Sequence, residues 1–160
     1  MADLCQIGCG GEVMRIALGT DHRGVKLKDA LIGFLREAGH EIIDRGSEGG
    51  ESVDYPLFAF SVAEAVASGE AERGVLICGT GIGMSIAANK VPGIRAALVY
   101  DESSLILSRQ HNDANLLILP GNWLEEETAF AWLLRWIDTP FEGDRHARRL
   151  QQVADYEARD

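Results

Sequence analysis

Short apolar runs alternate with longer amphipathic segments along most of this chain. The short runs are bounded by glycine or charged residues, which is typical of strands buried on both faces of a parallel sheet. The longer segments repeat apolar residues every three to four positions, as helices with one buried face do. We therefore predict five strands, at 15–19, 41–44, 75–78, 95–99 and 116–119, and six helices, at 25–38, 55–68, 84–89, 101–110, 124–137 and 144–157.

The regular alternation of strand and helix predicts an α/β fold. We expect one doubly wound, Rossmann-like α/β/α sandwich with a five-stranded parallel sheet and an additional C-terminal helix. A length of 160 residues suits a single domain, and we find no internal repeat or linker. Residues 1–13 lack periodicity and contain three glycines, so we expect a flexible tail followed by one domain over 14–160.

The composition of the chain excludes several classes of function. A formal net charge of −10 at pH 7 argues against a nucleic-acid or anionic-membrane partner, so an anionic substrate would need a local basic pocket. No apolar run approaches the ~20 residues of a membrane span, and we see no signal peptide; we expect a cytoplasmic protein. The odd set of Cys5, Cys9 and Cys78 argues against a disulfide framework, and Cys5 and Cys9 are too few for a zinc site.

The segment GVLICGTGIGMSIAANK, at 74–90, contains the clearest candidate site. Glycines at alternate positions in 79–83 let the backbone turn and leave its N–H groups free to bind an anion at the start of a helix. Cys78 lies at the carboxyl end of the preceding strand, where open α/β sheets place their ligands. The spacing fits neither a dinucleotide fingerprint nor a P-loop, and no arginine is present for a thiol phosphatase. The segment therefore predicts a small-anion loop beside a thiol.

Other polar residues follow or precede the predicted strands. Asp21 and His22 follow the first strand, so they are expected to converge with Cys78 at the carboxyl edge of the sheet. His111 precedes the fifth strand and is expected near the opposite edge. His111 would then complete the site of a neighbouring subunit, or its loop would fold back over the site of its own chain. The sequence does not decide between these two arrangements.

Each candidate also has a purely structural interpretation. Cys78 could be an inert buried thiol, Tyr55 a packing residue, and RQHNDAN, at 109–115, a solvated end of a helix. Arg145 and Arg149 lie four positions apart on one helix face; they could be solvated, or they could hold a phosphate.

Four motifs together resemble a known family. DHRG after the first strand, DYP before the second helix, CGTGIGMSIAANK and RQHNDAN occur in the order and spacing of the B-type ribose-5-phosphate isomerases and of the related galactose-6-phosphate isomerase subunits. The resemblance extends over about 14–153.

The resemblance implies an aldose–ketose isomerase that works through an enediolate, without a metal or organic cofactor. It assigns proton transfer to Cys78, whose pKa the loop amides and the helix N-terminus are expected to lower. It further implies a homodimer or homotetramer with the site between subunits. It also implies that His111, with Asp21, opens the sugar ring, and that the enediolate oxygen is stabilised by Gly79, Thr80, Gly81 and Gly83. Sugar hydroxyls would be bound by Tyr55 and Asn112. The phosphate would be bound by His22, Arg145 and Arg149.

The sequence departs from the family pattern at two places. Met84 stands where some members have a catalytic glutamate, which is why the resemblance points to Cys78 as the base. Asn122 and Trp123 stand where many relatives have an arginine, which keeps a four- or six-carbon sugar phosphate, such as allose or galactose 6-phosphate, as an alternative substrate. A third possibility is a non-catalytic sugar-phosphate-binding or regulatory subunit.

Overall fold

A computed structural model describes residues 12–159 of the chain. It contains the five strands and six helices that the sequence pattern predicts. In chain order they are β1 (Arg15–Thr20), α1 (Val25–Glu37), β2 (Glu41–Asp44), α2 (Tyr55–Ala67), β3 (Arg73–Cys78), α3 (Ile82–Ala88), β4 (Ala96–Leu98), α4 (Glu102–Gln110), β5 (Leu116–Pro120), α5 (Glu126–Asp138) and α6 (Asp144–Glu157).

The strands form one parallel sheet in the order β2-β1-β3-β5-β4, which confirms the predicted fold class. From β1 the chain moves outwards to β2, then crosses back over β1 to form β3 on its other side. The strand order therefore reverses between β1 and β3. In open α/β sheets such a reversal opens a crevice at the carboxyl ends of the two strands, where ligands bind.

Alternating side chains of each strand pack into two separate cores. On one face, Leu117 and Leu119 of β5 join a cluster that includes residues of α1, α4 and α5. On the other face, Leu116 and Ile118 join a cluster that includes residues of α2 and α3. Because the side-chain period of a strand is two residues, a buried strand supplies both cores.

Several predicted boundaries are wrong by a few residues. Helix α3 begins at Ile82, two positions early, because Gly81 has a φ of 78° and forms its N-cap. Helix α5 begins only at Glu126, because the chain first makes a turn in which the Trp123 amide donates to the Pro120 carbonyl. The turn leaves the side chain of Trp123 exposed.

Helix α6 lies largely on the surface. His146 is its one buried residue, and near its end the Glu157 carboxylate accepts a hydrogen bond from the Gly93 amide. No helix within residues 12–159 has the length and apolar character to cross a membrane. The predicted flexible tail falls mostly outside the described residues; of it, positions 12 and 13 are described and belong to neither a helix nor a strand.

Candidate active site

The crevice between β1 and β3 brings together a thiol and a carboxylate. At its floor, the Thr20 hydroxyl donates a buried hydrogen bond of 2.9 Å to the Ile77 carbonyl and fixes the two strand ends together. One residue further along each strand, the Cys78 thiol donates to Oδ2 of Asp21, with Sγ and Oδ2 3.7 Å apart. The other oxygen, Oδ1, accepts from the Arg23 amide at 2.9 Å, which sets the carboxylate's orientation.

The glycine-rich loop folds around this thiol. The backbone N–H groups of Gly79 and Gly81 donate towards the Cys78 sulfur. Gly81 needs its left-handed conformation for this, and a Cβ there would overlap a side-chain carbon of Leu98. The Asn122 amide nitrogen would lie 3.0 Å from a Cβ on Gly79, so a side chain at either glycine would disturb the loop.

The expected lowering of the Cys78 pKa is wrong in direction. Burial of the thiol raises its pKa above the ordinary value of 9.0, and the charge and hydrogen bond of Asp21 raise it further. The Gly81 and Gly79 amides act in the opposite direction but do not outweigh these causes. The thiol is therefore largely protonated at neutral pH.

Three more predicted residues border the crevice. His22 accepts a 3.3 Å hydrogen bond at Nδ1 from the Val53 amide, which ties the 46–54 loop to the site. The Tyr55 ring lies so close to Gly83 that a Cβ on this glycine would be 2.6 Å from the ring. The Thr80 hydroxyl oxygen accepts from the Ile82 amide at 3.2 Å, so its own hydrogen stays available for a ligand.

The other predicted site residues lie at the opposite edge of the sheet. His111 is the C-cap of α4 and precedes β5, with Asn112 beside it and Arg145 and Arg149 on the exposed surface of α6. Cys78 pairs in register with Pro120 at the far end of β5. A strand of this length spans about 16 Å. Within one chain, the structure does not bring these four residues to the thiol.

A buried arginine holds the loop that presents His111. The Arg109 guanidinium donates to Oδ1 of Asp113 at 2.8 Å, to the Ala114 carbonyl at 2.7 Å and to the Thr139 carbonyl at 3.3 Å. The solvated interpretation of this segment is therefore wrong for Arg109, which is 4% exposed.

Sequence reasoning missed the neighbours of His111. Its ring stacks on His146 with centroids 4.1 Å apart, and the Glu142 carboxylate faces both rings. It also missed Tyr100, whose hydroxyl donates to the Thr80 carbonyl at 2.5 Å. For Glu142 and His146 the signal in the sequence was their four-residue spacing, which is common on solvated helices.

Comparison with known proteins gives a consistent result. The family described as Ribose/Galactose Isomerase matches residues 16–153. Ribose-5-phosphate isomerase B of Escherichia coli is 45% identical over 145 residues, which cover 91% of this chain and 97% of that protein. This chain belongs to the ribose/galactose isomerase family.

Solved structures of family members share the fold. Ribose-5-phosphate isomerase B of Clostridium thermocellum is 49% identical, with a TM-score of 0.88 over 90% of this chain and 97% of that one. The Mycoplasma genitalium protein is 36% identical, with a TM-score of 0.87 over 91% of this chain and 97% of its own, and that structure contains bound ribulose-5-phosphate. The resemblance to this family inferred from four motifs is thus confirmed.

Two residues near the crevice bear on the choice of base and on the shape of the rim. Met84 is fully buried in the core between the sheet and helices α2 and α3, so Cys78 is the ionisable side chain of the 78–84 loop. Trp123 is 63% exposed, and its ring centroid lies 6.0 Å from that of Tyr100. The residues at this rim therefore present aromatic surface.

Proposed function

We propose that this chain interconverts ribose 5-phosphate and ribulose 5-phosphate by proton transfer through an enediolate, without a cofactor. The carrying observation is the Cys78–Asp21 pair, 3.7 Å apart, at the strand-order reversal and beside the glycine-rich loop. The names of the relatives support the same substrate, since the E. coli protein is a ribose-5-phosphate isomerase.

The proposed proton transfer begins with opening of the furanose ring by His111, assisted by Asp21. The thiolate of Cys78 then removes the proton from C2 of the aldose and returns a proton to C1, which gives the ketose. Since the pKa of Cys78 is raised by burial and by Asp21, the minor thiolate population performs this step. Until substrate binds, the thiol donates its hydrogen bond to Asp21.

The remaining residues would hold the substrate. The negative charge that develops on the enediolate oxygen would be stabilised by the amides of 79–83 and by the Thr80 hydroxyl. Tyr55 and Asn112 would bind sugar hydroxyls. The phosphate would lie between His22, Arg145 and Arg149, where a bidentate guanidinium contact is available.

This proposal requires two copies of the chain. Cys78 and His111 lie at opposite edges of one sheet, so a partner has to supply His111, Asn112, Arg145 and Arg149. Exposed apolar side chains adjoin the crevice, among them Ile82 at 53% and Ile86 at 60% exposure on α3, and burial of this surface would stabilise association. We propose a homodimer, or a homotetramer built from it, formed by the domain at 14–160 and located in the cytoplasm.

Mixing two inactive variants tests the shared site. Cys78→Ala and His111→Asn are each expected to lose activity. After unfolding and refolding together, up to about half of the chains form mixed dimers, and each mixed dimer has one intact site. Recovery of about a quarter of wild-type activity supports the proposal, whereas no recovery from correctly refolded mixed dimers contradicts it.

The second candidate substrate is a four- or six-carbon sugar phosphate. The observation that favours it is that Asn122 and the exposed Trp123 occupy the segment after β5. The family resemblance leads us to expect a phosphate-binding arginine in this segment. The two candidate substrate classes are distinguished by comparing kcat/KM for ribose 5-phosphate, erythrose 4-phosphate, allose 6-phosphate and galactose 6-phosphate. We expect ribose 5-phosphate to be preferred by at least tenfold, and the opposite preference would replace our proposal by the alternative.

A further inference from the structure

Two histidines and a glutamate form a compact cluster at the start of α6. The Glu142 Oε2 atom lies 3.8 Å from His111 Nε2 and 3.6 Å from His146 Nε2. One ligand atom of each residue lies within 4.8 Å of the others. Ligand atoms of a tetrahedral zinc site are about 3.4 Å apart, so the glutamate already lies close to the required distance from both rings.

The buried histidine of this cluster has a nitrogen without a hydrogen-bond partner. His146 is 4% exposed, and its Nε2 makes no hydrogen bond within the described part of the chain. An unpartnered buried polar atom costs free energy, and this one faces the Glu142 carboxylate and the His111 ring. A ligand bound at this point would remove the cost.

The chemistry of the three groups is that of a zinc site. Two imidazoles and one carboxylate make up the protein ligands of several zinc centres, in which the fourth position is open. Neutral imidazole is the form that binds a metal ion.

The cluster needs one movement before it can bind an ion. The two imidazole rings are stacked with an angle of 12° between their planes, so their nitrogen lone pairs lie in nearly parallel planes and do not converge on one point between the rings. The His111 side chain is 35% exposed at the end of α4, and it can tilt to direct Nε2 at an ion held by the other two residues. The neighbouring arginines repel a cation, which weakens the site.

We propose that His111, Glu142 and His146 form a Zn²⁺-binding site and that zinc, when bound there, withdraws His111 from the isomerase reaction. The first part rests on the cluster alone. The second part rests on the proposed function, since His111 is the group that opens the sugar ring. Zinc is then a reversible inhibitor of this enzyme and has no part in its chemistry.

Binding is measured on the full chain without its thiols, because cysteines also bind zinc. In the Cys5→Ser, Cys9→Ser, Cys78→Ser protein, we expect one Zn²⁺ per chain by equilibrium dialysis. Glu142→Gln is expected to weaken binding at least tenfold, and so is His146→Asn. His40→Asn is the matched control, since this histidine accepts a hydrogen bond from the Met14 amide in another part of the fold, and it should leave the affinity unchanged.

Histidine side-chain nitrogen NMR identifies the ligands directly, because the chain has four histidines. We expect Zn²⁺ to shift the resonances of His111 and His146 and to leave those of His22 and His40 in place. Absence of saturable binding, or equal affinity in the Glu142→Gln, His146→Asn and His40→Asn proteins, overturns the site. The exposed Glu142 keeps this test informative even where the His146 variant fails to fold.

An activity measurement separates the two parts of the proposal. Zn²⁺ is expected to inhibit ribose 5-phosphate turnover by the wild-type protein, with recovery on addition of a chelator. Glu142→Gln should need at least tenfold more zinc for the same fractional inhibition, and an unchanged requirement contradicts inhibition through this site. Zinc binding to a wild-type protein that does not turn over any of the sugar phosphates would leave the site standing and refute the proposed function instead.

Discussion

Asp21→Asn is expected to make the Cys78 thiol more reactive, even though it alters a proposed catalytic group. Burial raises the pKa of Cys78, and Asp21 raises it further by its charge and by accepting the thiol hydrogen bond. The substitution removes the charge but keeps an oxygen that can accept the 2.9 Å hydrogen bond from the Arg23 amide. The turn after β1 should therefore be preserved.

The size of the effect follows from the geometry. Two unit charges 3.7 Å apart, the separation of Sγ and Oδ2, repel each other by about 1 kcal/mol at the dielectric constant of water. A protein interior has a lower dielectric constant and would give a larger repulsion. We use the value for water as a lower limit because the thiol is partly exposed. Below the pKa of the thiol, relief of 1 kcal/mol raises the thiolate population about fivefold. A thiolate of lower basicity is a weaker nucleophile, which leaves a net increase in alkylation rate of about two- to threefold.

The assay is the rate of Cys78 alkylation by iodoacetamide at pH 7, followed by mass spectrometry of the Cys78 peptide so that Cys5 and Cys9 do not contribute. Glu37→Gln is the control, because it removes the same charge at the exposed end of α1. We expect alkylation of the Asp21→Asn protein to be two- to threefold faster than that of the wild type, with the control unchanged. A rate that is unchanged or lower in Asp21→Asn would refute the assignment of Asp21 as a cause of the raised pKa.

Three further predictions concern the glycine-rich loop, its thiol and the loop that presents His111. Gly81→Ala is expected to lower the free energy of unfolding in urea by at least about 1–2 kcal/mol, because φ is 78° at this position. Gly33→Ala is the control, because this glycine lies in α1 with open space around it, and it should raise the free energy of unfolding by about 0.5–1 kcal/mol. Equal effects of the two substitutions would contradict a conformational requirement for glycine at position 81. The kcat/KM for isomerisation is expected to rise between neutral pH and pH 9.0, because the proposed base is the deprotonated form of Cys78. Burial and the neighbouring Asp21 carboxylate raise the pKa of this thiol above 9.0. A kcat/KM that does not change over this pH range would contradict the prediction. Arg109→Met is expected to lower kcat/KM at least tenfold, because it releases three hydrogen bonds of the loop that presents the ring-opening group, whereas Arg36→Met at the exposed end of α1 should have no effect.

The sequence predicted the features that depend on local pattern and on parallel-sheet geometry. Alternation of apolar and amphipathic segments is sufficient for the fold class. The meeting of Asp21 and Cys78 follows because carboxyl ends of parallel strands share one edge, and the structure confirms it. The same argument placed His111 at the other edge, which is also where the structure has it.

Features that depend on the depth of burial could not be predicted in this way. Desolvation raises the pKa of Cys78, whereas hydrogen bonds from the Gly79 and Gly81 amides lower it. The direction of the net shift depends on which effect is larger, and neither the depth of burial nor the orientation of the amides can be read from a sequence. An arginine in the last turn of a helix is usually solvated, and the burial of Arg109 arises from the approach of α5. His146 is buried for a similar reason, since the chain after α5 returns to α4, where the Glu142 amide donates to the Gln110 carbonyl.

The most direct test of the central claim is solvent deuterium incorporation during isomerisation of ribose 5-phosphate, followed by NMR in the presence of a chelator. The wild-type protein is expected to form ribulose 5-phosphate with deuterium at C1 and to exchange the C2 proton of the aldose. Cys78→Ala should bind the sugar phosphate but lose exchange by about 10²–10⁴-fold, the usual contribution of a general base. Exchange at the wild-type rate in Cys78→Ala, or no exchange by the wild-type protein, would contradict a cofactor-free isomerase with Cys78 as its base.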